Sequence, residues 1–94
     1  SRLGYQFPKF RDTYHEARYN MALCNFSYAL RLKSSEDKKK YLGYARDGIE
    51  YIQKLHPDMG GAEWYSQYDA LLRRIQRELG EAVVGLGGTT ASAR

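Results

Sequence analysis

Cysteine, tryptophan and proline are scarce here, with one Cys, one Trp and two Pro in 94 residues. A single thiol, Cys24, forms no intramolecular disulfide and excludes the usual cysteine-rich zinc sites. Two prolines, Pro8 and Pro57, leave the chain between them free to form long helices, because each stands where a helix starts or stops. No apolar run approaches the roughly 18 residues a membrane helix needs. The chain opens on Ser1 without a signal-peptide pattern, so any such peptide is expected to be absent or removed, and the expectation is a piece of a larger protein. Neither sign of charge dominates: 15 Lys+Arg against 11 Asp+Glu give +4.

Nine tyrosines and a hydrophobic share of 43% suit one small globular domain. Residues 1–9 carry Gly4 and Pro8 and read as a connector or the remnant of a preceding element. A first helix is expected from about Phe10 to Leu32, free of Gly and Pro and rich in good helix formers. Tyr14, Ala17, Met21, Cys24 and Tyr28 form one apolar stripe on it at helical spacing. Tyr19, Ala22, Leu23, Phe26 and Ala29–Leu30 form a second, so this helix asks for more than one neighbour. Cys24, on an apolar stripe, is expected as a buried thiol. Ser34, with Asp37 three residues on, is expected to cap a second helix over about Glu36 to His56. Tyr41, Ala45, Gly48/Ile49, Ile52 and Leu55 line one face of that helix. Gly43 and Gly48 each cost about 1 kcal/mol in a helix, which marks them for the close approach of another backbone.

Pro57-Asp58-Met59-Gly60-Gly61 is a stop and turn. A third helix, about Ala62 to Leu79, segregates Trp64/Tyr65, Tyr68, Leu71, Leu72, Ile75 and Leu79 from a wet face of Ser66, Asp69, Arg73, Arg74, Gln76 and Arg77. Gly80 suits its C-terminal cap. Residues 10–80 thus read as one all-α domain and 81–94 as a flexible tail, where periodicity gives way to Gly, Thr, Ala and Ser.

A helix hairpin with small residues at its crossing, closed by Pro57-Asp58, resembles the tetratricopeptide repeat. Tyr19-Asn20-Met21-Ala22 looks like the family's aromatic-Asn-Leu-Gly/Ala run, and Ala45, Ile49, Ile52 and Pro57 look like its second-helix half. The resemblance covers residues 12–72, with longer helices, Arg18 where a large apolar residue is commoner and Ile52 where a small one is. Elongated repeats of this sort look like those of large bacterial repeat proteins. The resemblance implies an antiparallel hairpin with Ala22 against Ala45, a C-terminal capping helix, and a partner-binding groove on the first helix at Tyr19, Asn20, Leu23, Phe26 and Ser27.

Catalytic chemistry finds little purchase. His15-Glu16-Ala17-Arg18-Tyr19 begins like the helical zinc motif, but its second histidine is a tyrosine. His56, beside Pro57, suits a helix C-terminus, and Asp47/Glu50 suit a solvated face with ordinary ionisation. No phosphate-cradling glycine spacing occurs. The expectation is therefore a noncatalytic protein–protein interaction or scaffolding module without metal or cofactor, taking a protein or peptide, with self-association as an option and a cytoplasmic setting favoured. The competing classes are an oligomerisation domain and a basic nucleic-acid-binding domain. Against the latter, the cations split between Lys38-Lys39-Lys40 and Arg73, Arg74 and Arg77, and the tyrosines on apolar stripes read as packing residues.

Overall fold

Pro8 sets the start of the longest helix. Its ring holds φ near the helical value, and its missing N–H is one that a first turn leaves unpaired anyway. Phe7 before it is extended, with φ −87° and ψ 125°. The computed structural model describes residues 2–92, so Ser1 and the last two residues of the expected tail, Ala93 and Arg94, lie outside the described residues. The elements run α1 (Arg2–Tyr5), α2 (Pro8–Arg31), α3 (Ser35–Leu55), α4 (Ala62–Leu79) and α5 (Gly85–Ser92). The fold is all-α, with no strand among the described residues.

α3 starts where the sequence places its cap. The Asp37 backbone N–H donates to Ser34 Oγ at 3.2 Å, and Glu36 and Asp37 set negative charge on the first turn, where the helix dipole favours it. α2 and α3 form an antiparallel hairpin: Tyr28 meets Tyr41 edge-on at 4.8 Å at one end, and Tyr14 meets His56 at 5.4 Å at the other. α4 lies across one side of this hairpin, parallel to α2. Its first half brings Tyr68 to His15 and Tyr19, and its second half lays the Arg74 guanidinium over the Phe26 ring at 4.7 Å. The core lies between these three helices, with Ala22, Phe26 and Ala29 of α2, Leu42, Ala45, Ile49 and Ile52 of α3, and Tyr68, Leu71, Leu72 and Ile75 of α4. Small Ala22 and Ala45 are both buried within it.

Two expectations fail on α2. Its second stripe is the core stripe, while on the first Ala17, Met21, Cys24 and Tyr28 are exposed and Tyr14 is half-buried. Cys24 is thus a surface thiol. Apolar residues spread around this helix, so periodicity alone names no inner face.

The turn from α3 to α4 uses three successive left-handed residues, Met59 (φ 55°), Gly60 (φ 86°) and Gly61 (φ 115°), and drives the Met59 side chain fully into the core. α4 ends on Gly80 at φ 76°, where the Glu81 N–H reaches back to the Gln76 carbonyl at 2.9 Å and the Gly80 N–H to that of Arg77 at 3.2 Å, a Schellman-type close.

Past Gly80 the chain departs from the flexible tail expected of residues 81–94. Gln76, expected on the wet face of α4, is instead buried, because its Oε1 accepts the N–H groups of Val84 and Gly85, both at 3.0 Å. Asp69 Oδ1 accepts that of Leu86 at 2.8 Å, and Leu86 is fully buried. Two α4 side chains thus satisfy the unpaired donors at the start of α5, and a carboxylate stands at the favourable end of its dipole. Arg46 pairs with Glu81 to tie the intervening strap to α3. The Gly–Thr–Ser composition of this segment carries no sign of that anchorage, because the anchoring groups belong to another helix.

Candidate functional site

The five residues that the resemblance assigns to a groove lie on α2 with different exposures. Tyr19 is half-buried against Trp64 and Tyr68 of α4, with ring centroids at 6.1 and 5.7 Å. Leu23 packs half-buried on the core, and Phe26 is 2% exposed beneath Arg74. Asn20 and Ser27 are exposed. α4 therefore covers the middle of this side, leaving polar Asn20 and Ser27 along its edge.

The opposite side of the hairpin is uncovered. Met21 (58% exposed) and Tyr28 of α2 stand out from it, and Tyr44 (49%), Tyr51 (53%) and Leu55 of α3 form a second ridge at i, i+7 and i+11. A shallow groove runs between the ridges, with Arg18, Met21 and Asn25 on one wall, Tyr44 and Gly48 on the other, and Ile49 and Ile52 at the floor. At one end Tyr28 of α2 meets Tyr41 of α3 edge to face across the hairpin, and Tyr41 meets Tyr44 in the same way. Arg18 is half-buried with its guanidinium 5.5 Å from the Tyr14 ring, and no carboxylate pairs with it among the described residues.

Gly48 sits in this wall, and nothing lies within 4 Å of the point a Cβ would occupy. The close backbone approach its place in a helix suggested is not made by any described part of this chain. Gly48→Ala is therefore expected to raise stability by about 0.5–1 kcal/mol, the usual gain from Ala over Gly in a helix interior. Urea denaturation reads it, and a loss of stability would show that the site is not open.

A second constellation carries no local sequence signal, because its members come from distant parts of the chain. His15, fully buried, places Nε2 2.6 Å from the Tyr5 hydroxyl and Nδ1 2.8 Å from that of Tyr68. Tyr68 donates its proton to the His15 carbonyl at 3.2 Å. Nδ1 then carries the ring proton and donates to the Tyr68 oxygen, and Nε2 accepts from Tyr5. Tyr5 stacks on His56 at 3.9 Å, and Trp64 stands 6.1 Å from His15. Burial, then the neighbouring His56, lowers the His15 pKa. Burial, then Asp58, raises that of Tyr5, and burial raises that of Tyr68. With His15 and Tyr68 fully buried under half-buried Tyr5, Tyr14, His56 and Trp64, the cluster ties α1, α2, α4 and the 57–61 turn together.

Beside it an open polar cleft of about 550 Å³ is flanked by Lys9, Asp12, Glu16 and Glu63, and Trp64 Nε1 donates across it to Asp12 at 3.3 Å. Glu50 departs from the ordinary ionisation expected of it, since partial burial raises its pKa. Among the described residues, no group of three or more His, Cys, Asp or Glu is placed to hold a metal ion, and no helix is long and apolar enough to cross a membrane. No family model matches the chain, and neither a curated protein nor a solved structure matches it significantly.

Proposed function

We propose that this chain is a noncatalytic protein–protein interaction module of tetratricopeptide-like build, part of a larger scaffold, which holds a protein or peptide on the exposed α2/α3 face. The composition of that face carries the reading: Met21, Tyr28, Tyr44, Tyr51 and Leu55 project side by side, Arg18 lies among them, and no acidic side chain lines the groove itself, Asp47 and Glu50 standing beside Tyr51 on the α3 ridge. Interface cores are enriched in Tyr, Met and Arg and depleted of Lys, Glu and Asp, and anchors of this kind dominate binding energy. Contiguous apolar patches of this sort are uncommon on monomers that bind nothing. The charges elsewhere set steering and solubility.

Selection of displayed random peptides against the chain tests the reading. Binders are expected to lose about tenfold or more in affinity when Met21→Glu and Tyr44→Glu are combined. Both positions are exposed, so the double variant is expected to keep its helical circular dichroism. Binders indifferent to these changes would remove the face from the reading. A nucleic-acid-binding domain would instead capture any polynucleotide with an affinity falling steeply in salt.

A further inference from the structure

We infer that the occupant of this face is an acidic amphipathic helix, about three turns long, with a carboxylate set against Arg18 and a small residue over Gly48; the inference rests on the interaction reading above. Shape comes first. Two helical ridges flank a groove that follows their axes, with Arg18 to Asn25 as its α2 wall and exposed Tyr28 beyond it, so from Arg18 to Tyr28 the face is about 15 Å long at a rise of about 1.5 Å per residue. A helix of about three turns fills that length. α4 already lies lengthwise on the other side of the same hairpin, packing Trp64, Tyr68 and Leu72 against it, so the hairpin demonstrably accepts a helix.

Gly48 fixes where that helix comes closest. Flanked by the Tyr44 and Tyr51 rings, it leaves a notch in which no atom approaches within 4 Å of a Cβ position. A partner backbone enters such a notch when its own residue there is Gly, Ala or Ser.

Arg18 supplies the charge complementarity. A half-buried guanidinium without a carboxylate partner among the described residues loses hydration when a partner covers the groove, and a carboxylate restores its hydrogen bonds. Lys40, 5.8 Å from the Tyr41 ring, adds a second cation at the far end of the same face, while the carboxylates beside Tyr51 are Glu50 and Asp47, the latter already paired with Arg46 at 3.0 Å. Asn25, also on the wall, has amide donors and an acceptor for polar groups on the helix flank.

The test is a displayed library of helical peptides with a fixed apolar stripe and flanking positions randomised among Glu, Gln, Lys and Ser, selected against the wild-type chain and Arg18→Glu. Glu is expected to be enriched at one flanking position on the wild type and Lys on Arg18→Glu. A representative Glu peptide is expected to bind the wild type about tenfold tighter than its Lys counterpart by fluorescence anisotropy. Helices enriched without charge preference, or with one unchanged on Arg18→Glu, overturn the acidic helix while leaving the face as an interaction surface. Sedimentation showing that the chain dimerises, with Met21→Glu restoring the monomer, gives the face to a second copy and also overturns the inference. No enrichment on either bait, with a monomeric chain, removes the interaction reading itself.

Discussion

Gly60→Ala is expected to destabilise the protein by about 3 kcal/mol or more, two effects adding at one atom. Gly60 has φ 86°, a conformation that costs an L-residue about 1–2 kcal/mol. The added methyl also has nowhere to go, since its position falls on the His15 ring, 2.6 Å from Nε2 and closer still to Cδ2. That ring is held at both nitrogens by tyrosine hydroxyls, and the Trp64 and His56 rings stand beside it. Moving it breaks those bonds, and moving the turn withdraws buried Met59 from the core. Gly80→Ala is the internal control, because Gly80 has nearly the same φ (76°) and nothing within 4 Å of its Cβ position. It is expected to cost only the backbone term, about 1–2 kcal/mol. In a domain of this size 1 kcal/mol moves Tm by about 4–8 °C, so thermal melts separate the two variants clearly. Equal losses would mean that the methyl does not meet the histidine ring.

The same turn illustrates what the sequence reveals and what it hides. Pro57-Asp58-Met59-Gly60-Gly61 announces a stop, and the third helix begins and ends where its apolar face and Gly80 say it must. Ser34 announces the start of α3 just as plainly, because a cap is a local device made by a side chain three residues from its partner. Local signals fail where a residue's surroundings come from far along the chain. His15 looks like half of a zinc motif until Tyr68, 53 positions away, supplies its hydrogen bond. Residues 85–92 look like a tail until Asp69 and Gln76 supply their missing partners. The candidate interaction face is the intermediate case. Its residues were visible as a stripe through Tyr14, Ala17, Met21, Cys24 and Tyr28, yet α2 carries a second stripe of equal strength. Which of them buries depends on where α4 lands. α4 takes the side with Tyr19 and Phe26, so the exposed side is the one periodicity had equally nominated as core.

His15→Leu is expected to cost about 2 kcal/mol at pH 8, and the cost is expected to shrink as the solution is acidified. At pH 8 the neutral imidazole makes both its hydrogen bonds, and leucine of similar bulk makes neither. Each lost bond is worth about 1 kcal/mol, while Tyr68 keeps a partner in the backbone carbonyl of position 15. Acid acts differently on the two proteins. Burial lowers the His15 pKa below its ordinary value near 6.5, and the adjacent His56 lowers it further. Of the other groups that face it, Asp58 and Asp12 pull the pKa up and Arg11 pulls it down, while the hydroxyls of Tyr5 and Tyr68 stay protonated in this range. The balance leaves the folded chain binding this proton less readily than the unfolded chain. Below about pH 6.5 the unfolded state gains the proton first, so the wild type loses stability as pH falls, at no more than about 1.4 kcal/mol per pH unit for one proton. The loss stops once pH passes below the lowered folded-state pKa. Leucine binds no proton, and the variant lacks this slope. Urea midpoints from pH 8 to pH 5 are therefore expected to converge, whereas parallel curves would mean that the buried ring does not resist protonation.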